Sequence, residues 1–230
     1  MRTVVLNLFP CLVLLICFAG CGPNLGEKIV VDGTEVYYDG EQVTKADAEK
    51  LGAALVNLQF TDGNEKAVQL QKEGNKNILK MVMKPEYLES GELDNAIRVM
   101  CLELSSRFDG AEFECHACDE YMESKKSFTG LCGKLTDYNK AEFYYNSLAD
   151  EQLDGVKKVL DQFEFTEFEG TLFFGKTDGS YEFRVVCTPE FQQDEGIQAE
   201  SKLWQAEFSK VLDGESVAIL MCDENFIPYN

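Results

Sequence analysis

The sequence predicts an α+β protein made of two tandem βαββαβ repeats of the ferredoxin-like type, in which antiparallel sheets carry their helices on one face. One observation is a set of ordered matches between the two halves, such as Tyr37-Tyr38 with Tyr144-Tyr145. A second is their spacing, which is 107 residues at the first strand, 105 in the next helix and a constant 104 from Ala67 onward. A third is that strand-like alternation and helix-like spacing follow in the same order in both halves. The second repeat, residues 134–230, follows a linker predicted at residues 124–133.

Each element of the first repeat, residues 27–123, has a local signal. The strands alternate apolar and polar residues, and Glu73-Gly74-Asn75 forms the turn of the central hairpin. Thr44 has the side chain of an N-cap before the first helix, and Asp109-Gly110 ends the second helix. The four strands are predicted at residues 35–38, 67–72, 78–83 and 112–118.

The first 20 residues predict a lipoprotein signal peptide, which is followed by a tether at residues 21–26. Met1-Arg2 precedes an apolar run of about 15 residues, which is short for a membrane span of roughly 20 residues. Phe18-Ala19-Gly20-Cys21 then resembles the bacterial lipobox, whose cysteine is acylated after cleavage. Cys21 is therefore the predicted lipidation site, with an ordinary signal peptide or an uncleaved anchor as alternatives.

The charge of the chain restricts its partners. Lys and Arg number 21 against 41 Asp and Glu, which gives a formal net charge of −20. Such an acidic protein is not expected to bind nucleic acid or an anionic lipid surface directly. We therefore expect attachment to the lipid bilayer through acylated Cys21 alone. The residue after Cys21 is Gly22, not the Asp that usually retains lipoproteins at the inner membrane. The outer membrane or the cell surface of the bacterial envelope is therefore favoured.

Alternation along the strands assigns each side chain to one face of its sheet. One face is expected to pack on the helices. The other, which we call the open face, carries Tyr37 in the first repeat and Tyr144, Phe173 and Leu220 in the second. Large apolar groups on a face without helices indicate a surface that packs against something. The two candidates are the sheet of the other repeat, paired about a pseudo-two-fold axis, and an external protein or peptide. The inward-facing residues are expected to be Val36, Val68, Leu70, Leu79, Met81, Phe113 and Cys115, with Phe143, Leu172, Phe174, Phe183, Val185, Val217 and Ile219 as their counterparts.

Six cysteines remain when the signal peptide and Cys21 are set aside. Cys118 and Cys222 are equivalent in the two repeats and lie on the open faces. They are therefore candidates for a free thiol or, if the two sheets meet, for a disulfide. Cys115 is expected in a core position, and Cys101 is expected at the boundary of the buried side of its helix. The full set is Cys101, Cys115, Cys118, Cys132, Cys187 and Cys222.

The segment Cys115-His116-Ala117-Cys118 is the one that suggests thiol or metal chemistry. On a strand, however, Cys115 and Cys118 point to opposite faces, so they cannot bind one ion together without a bulge. The chain contains no GxSxG, HExxH, GxGxxG or phosphate-binding loop pattern to support its single histidine. Asp119-Glu120 and Asp223-Glu224 end equivalent strands and are expected to be solvated. No catalytic residue, metal ligand or cofactor is therefore predicted.

Part of the chain resembles a known repeat unit. Residues 35–38, 48–52, 68–74 and 108–111, with Cys118-Asp119, resemble a small repeat found in uncharacterised bacterial membrane-associated proteins and lipoproteins. The resemblance implies a fold unit and brings no activity with it.

Together these features favour a non-enzymatic, membrane-anchored envelope lipoprotein that binds or assembles through its sheet faces, with an unknown protein partner. Two alternatives stay open. One is a thiol- or metal-dependent activity centred on Cys115, His116 and Cys118. The other is a small-molecule sensor whose ligand lies between the two repeats.

Overall fold

A computed structural model describes residues 25–61, 65–91 and 93–229. The predicted signal peptide, the lipidation site Cys21 and most of the tether lie outside these ranges. Within them the chain forms two β-sheets, each with helices packed against it. None of the helices in the described ranges combines the length and the apolar character needed to cross a membrane.

The first sheet has six strands, which lie side by side in the order of the sequence. They are β1 (Glu27–Val31), β2 (Thr34–Tyr38), β3 (Lys66–Glu73), β4 (Lys76–Val82), β5 (Phe113–Cys118) and β6 (Ser124–Thr129). The helices of this first unit are α1 (Lys45–Asn57), α2 (Pro85–Ser90) and α3 (Asp94–Arg107).

The second sheet has five strands, also in sequence order. They are β7 (Lys134–Tyr138), β8 (Ala141–Tyr145), β9 (Thr171–Thr177), β10 (Ser180–Val186) and β11 (Val217–Cys222). The helices of this second unit are α4 (Asp150–Gln162), α5 (Pro189–Gln193) and α6 (Glu195–Val211).

The two units repeat one plan at the predicted spacings. The starts of β2 and β8 are 107 residues apart, those of α1 and α4 are 105 apart, and those of β5 and β11 are 104 apart. Local signals also act as expected at the first helix, where the Thr44 hydroxyl accepts a hydrogen bond from the Asp47 amide at 3.2 Å. The Asp47 carboxylate in turn accepts from the Thr44 amide at 2.9 Å, which completes a capping box. The α+β class and the βαββαβ order within each unit are confirmed.

The ferredoxin-like strand order and the fully antiparallel sheet are wrong. In the first unit β2 and β3 are parallel neighbours, β3 and β4 form an antiparallel hairpin, and β4 and β5 are parallel neighbours. The second unit has the same pattern. A ferredoxin-like sheet needs another strand between the two that each helix connects, whereas here each helix connects adjacent strands. The order of elements along the chain is the same in both arrangements, so the sequence pattern does not distinguish them.

Three strands lie outside the predicted set. β1 and β7 each add an antiparallel hairpin partner before the first predicted strand of their unit. Asp32-Gly33 forms the first of these hairpin turns, with positive φ at both residues, as a type I′ turn requires. β6 occupies residues 124–129 of the predicted linker and pairs with β5, so much of that segment belongs to the first sheet.

The core of each unit lies between its helices and one face of its sheet, as the alternation predicts. The seven inward-facing residues predicted for the first sheet all lie in one buried cluster with α1 and α3. Their counterparts lie in the corresponding cluster of the second unit, with Ile219 partly buried at its margin. Aromatic rings fill the second core, where Phe174 and Phe208 have ring centroids 4.9 Å apart. Trp204 and Phe165 are also 4.9 Å apart.

The two units stack with the second sheet on a helix of the first unit, so the first of the two candidates, the pairing of one sheet with the other, is wrong. The open face of the second sheet packs on the outer side of α3 of the first unit, in a cluster we call the inter-unit cluster. It buries Leu102 of α3 against Tyr144 and Phe173, with Phe226 at its edge. A helix with apolar residues on two sides can serve two sheets at once, and α3 does so. The two sheet faces therefore do not meet.

The segment between the units runs close along α3. At Gly130 an added Cβ would lie 2.2 Å from the Arg98 carbonyl oxygen, so only glycine fits this approach. Further on, the Gly133 amide donates to the hydroxyl of buried Ser105 at 3.0 Å. These contacts bring β7 directly beside the helix that carries the inter-unit cluster.

Candidate functional site

Two of the four predicted interaction residues lie in the inter-unit cluster. Tyr144 and Phe173 are buried there, and the Tyr144 hydroxyl donates to Glu103 Oε1 of α3 at 2.5 Å. Burial, helped by this hydrogen bond and the carboxylate charge, raises the pKa of Tyr144 above its usual range. Leu220 is half-buried on β11 opposite Arg184 and lies outside the cluster. The open face of the second sheet is thus occupied by a helix of the same chain.

The open face of the first sheet carries the equivalent positions without an equivalent helix. Tyr37 corresponds to Tyr144, Gln69 to Phe173 and Val82 to Val186, at the offsets of the repeat. The two long helices of the first unit, α1 and α3, pack on the opposite face, and no helix of the described residues lies over this one.

Tyr37, the first predicted interaction residue, is half-buried and donates to Glu35 at 2.5 Å. Lys28 also bonds Glu35, and these two partners hold the pKa of the Glu35 carboxyl below its usual range. Gln69 is buried, and its Nε2 donates to the Leu25 carbonyl at 3.1 Å. The start of the described chain therefore lies against this face.

A polar patch occupies the other side of the same face. Glu114 bonds Lys76 and, at 2.8 Å, His116 Nε2, and these two partners lower the pKa of the Glu114 carboxyl. His116 Nδ1 is buried and has no hydrogen-bond partner among the described residues. The patch is a mixture of opposite charges and so carries no strong field of one sign.

A groove of about 1750 Å³ adjoins the end of the first sheet. Its lining includes Val30, Glu35 and Val82 of the open face and Tyr87 of α2. The apolar members are unusually accessible, since Val30 is 62% exposed, Tyr87 39% and Val82 38%. Exposed apolar side chains grouped at a concave edge are typical of a surface that binds another molecule.

The segment Cys115-His116-Ala117-Cys118 does not form a joint site. Cys115 points into the core, where its sulfur lies 3.2 Å from that of Cys101. Cys118 points to the open face, and its thiol contacts the His116 carbonyl at 3.6 Å. Nowhere in the described parts of the chain do three or more His, Cys, Asp or Glu side chains come together as metal ligands.

Cys118 and Cys222, the candidate disulfide or thiol pair, occupy matching environments in separate sheets. Each thiol is free and contacts the carbonyl of the residue two positions earlier at 3.6 Å. Burial raises the pKa of the Cys118 thiol, and it raises that of Cys222 to about 12. The predicted bridge depended on the two open faces meeting, and the sheet-on-helix stacking keeps them apart.

Asp119 and Asp223 shape two equivalent loops rather than a solvated strand end. Asp119 Oδ1 accepts from the amides of Tyr121 and Glu123, both at 3.0 Å. Asp223 Oδ1 accepts from the amides two and four residues later, both at 2.9 Å. Both carboxylates therefore bind backbone amides of their own loops. In the second unit this loop brings Phe226 into the inter-unit cluster.

A second cleft, of about 570 Å³, lies between the two units and is the place where a sensor would hold its ligand. Its lining includes the cations Arg98, Lys176 and Arg184. Arg184 donates to the Glu182 carboxylate and, at 2.7 Å, to the Phe226 carbonyl, while Arg98 donates to a carbonyl at 2.8 Å. Arg184 is thus paired with a carboxylate, whereas Arg98 is held by a neutral carbonyl and keeps its charge.

Comparison with known proteins then separates the first unit from the rest of the chain. Residues 28–115 match a family model described as a family N-terminal domain. The match runs from β1 into β5, which is most of the first unit and less than half of the chain. No curated protein matches the chain. The family is uncharacterised, so the match supports the first unit as a module and brings no activity with it.

Proposed function

We propose that this chain is a non-enzymatic binding module of the bacterial cell envelope, anchored to the membrane through acylated Cys21. In this proposal the open face of the first sheet binds an amphipathic helix of a partner protein. One observation carries it. The second unit holds α3 on the same face, with Tyr144, Phe173 and Val186 as the contact residues. On the first sheet no helix of the described residues covers that face, and its margin carries the exposed side chains of Val30 and Val82.

The chemistry of the face indicates which helix fits. Tyr37 keeps the aromatic ring of the equivalent Tyr144, but its hydroxyl donates to Glu35 of its own strand, whereas that of Tyr144 donates to a glutamate of the docked helix. Val82 and Val30 keep apolar surface, while Gln69 replaces the fully buried Phe173. The expected partner helix therefore carries aliphatic side chains on one face, and it buries less apolar area than α3 does. Such an interface is of the weaker, more polar kind.

Membrane attachment rests on the lipobox-like segment ending at Cys21. The tether places the acyl chains within a few residues of Leu25, whose carbonyl bonds Gln69 on the proposed binding face. Metabolic labelling with a fatty-acid analogue checks this part. Label on the wild-type chain that is lost in Cys21→Ser supports it, and label that persists in the variant contradicts it.

Site-specific photo-crosslinking in the native envelope tests the binding face. A photoreactive residue replaces Val82 or Val30 of the open face in turn. The matched control replaces Leu135, which is also exposed (43%) but lies on β7 of the second unit. We expect one discrete adduct from the two face positions and none from Leu135, with the partner peptide mapping to an amphipathic helix. Equal adducts at all three positions would contradict the proposal, and an adduct between two copies of the chain would replace the external partner.

A further inference from the structure

Two cysteines meet inside the first unit. Cys101 lies on α3 and Cys115 on β5, and their sulfur atoms are 3.2 Å apart. Both residues are fully buried in the core cluster of the unit. A disulfide requires about 2.05 Å between the sulfurs, so a movement of roughly 1 Å, within reach of rotation about the side-chain bonds, would bring them to bonding distance.

We propose that Cys101 and Cys115 form a disulfide that fastens α3 to β5, with a small-molecule or protein disulfide as the oxidant. The Cys101 thiolate attacks one sulfur of the oxidant and releases its partner sulfur as a thiolate. The Cys115 thiol then loses its proton, attacks the Cys101 sulfur and displaces the second half of the oxidant. Two protein thiols become one disulfide, and the oxidant takes up two electrons and two protons as two thiols.

The surroundings of the pair support this order of attack. The hydrogen bond that the two thiols share lowers the pKa of Cys101. The pKa of Cys115 is raised by that same hydrogen bond and by burial. Cys101 is thus the better nucleophile for the first step, since the thiolate is the reacting form.

The second unit connects its long helix to its last strand at the equivalent position without a thiol pair. Gln205 stands at the position of Cys101 and Ile219 at that of Cys115. Gln205 Nε2 donates to the Val217 carbonyl at 2.7 Å, which ties α6 to β11. A helix-to-strand connection at this place therefore exists in both units, as a hydrogen bond in one and as a thiol contact in the other. In the first unit a covalent bond would replace it.

The disulfide would lie on the helix that contacts both units. Cys101 is next to Leu102, the residue of α3 that packs on the second sheet. Fastening α3 to β5 therefore also fixes the helix on which the second unit rests. The bond closes a loop of about 15 residues, and the lost freedom of the unfolded chain corresponds to a rise in Tm of about 6–12 °C.

The experiment refolds the whole protein from denaturant with glutathione disulfide, so that access to the buried thiols does not limit the reaction. After acid quenching, free thiols are alkylated and the digest is mapped by mass spectrometry. We expect a peptide linked through Cys101 and Cys115, and a Tm about 6–12 °C higher than that of the reduced protein. Cys101→Ser and Cys115→Ser should each lose the linked peptide and the Tm difference.

A double variant, Cys118→Ser with Cys222→Ser, is the matched control. It removes two other buried thiols and should keep both the linked peptide and the Tm difference. Recovery of Cys101 and Cys115 as alkylated peptides after refolding would overturn the proposal, as would a disulfide that joins either of them to a different cysteine. An unchanged Tm in the linked protein would overturn the claim that the bond fastens the helix.

Discussion

Replacing Phe173 by Ala tests how the two units stack. The ring of Phe173 is fully buried in the inter-unit cluster, against Leu102 of α3 and beside Tyr144. Removing it takes apolar atoms out of a packed site and leaves a cavity, which costs about 3–5 kcal/mol. Leu102→Ala removes the opposite side of the same contact and costs about 2–5 kcal/mol.

The double variant shows whether the two side chains touch. Each single substitution already breaks the contact between the ring and the leucine, so the second one has less left to remove. The free energies of unfolding should therefore fall short of additivity by about 1–2 kcal/mol, within the range measured for residues in contact. Residues that do not touch are additive within about 0.3–0.5 kcal/mol.

Urea unfolding followed by tryptophan fluorescence is the assay. Trp204 is the only tryptophan of the chain and is buried in the core of the second unit, so the signal reports on that unit. Leu102 belongs to the first unit, so its truncation changes the unfolding that Trp204 reports only by weakening the contact between the two units.

Phe174→Ala is the matched control for the cycle, because Phe174 is the next residue of β9 and points to the opposite face. It should be additive with Leu102→Ala. A coupling energy below about 0.5 kcal/mol between Phe173 and Leu102 would refute the sheet-on-helix stacking.

Three further predictions concern single contacts. Tyr144→Phe removes the bond to Glu103 and should cost about 1.5–3 kcal/mol at neutral pH. Because the folded pKa of Tyr144 is raised, its contribution is complete below the unfolded value near pH 10 and is lost as the pH rises further. The urea midpoint of the wild type should therefore fall more steeply than that of the variant above about pH 10. Asp119→Ala and Asp223→Ala each leave two loop amides unbonded and should cost about 1–2 kcal/mol, and a divalent cation that restored the Tm would contradict their backbone role. Gly130→Ala places a Cβ 2.2 Å from the Arg98 carbonyl and should lower stability by about 1–3 kcal/mol, seen as an earlier urea midpoint.

The repeat and the two faces of each sheet could be predicted from the sequence because both depend on short-range pattern. Alternation puts Leu79 and Met81 inside and Lys80 outside whatever the order of the strands. The offset of 104 residues then transfers that assignment to the second unit, where Phe183 and Val185 are buried. Pattern of this kind is local, and the structure confirms it.

Strand order and the stacking of the units depend on long-range choices that local pattern does not encode. One signal was nevertheless present on α3. Its core-facing residues include Ile97 and Leu104, yet Val99 and Leu102 form a second apolar stripe on the other side. A helix that is apolar on two sides is expected to be covered on both. Counting that stripe would have predicted a partner for the outer side of α3.

The Cys101–Cys115 pair was missed for a different reason. The sequence predicts Cys101 at the boundary of the buried side of its helix, since the equivalent residue of the second unit is the polar Gln205. Gln205 is exposed, yet its side chain reaches the Val217 carbonyl and makes a helix-to-strand tie there. Two residues of opposite polarity thus occupy equivalent positions, and only the three-dimensional structure shows that this position contacts the neighbouring strand.

The differences between the two units bear on the binding that we propose for the open face of the first one. Core positions match apolar for apolar, as Val68 with Leu172 and Leu79 with Phe183. At the open face, by contrast, Gln69 stands for Phe173. A face that is permanently covered has to be apolar, because burying an amide without a partner costs free energy. A face that is covered only while a partner is bound must also tolerate water, and side chains that bond both water and a helix meet that requirement. Gln69 meets it because its amide bonds the Leu25 carbonyl although the side chain is buried, which is consistent with the reversible binding that we propose for this face.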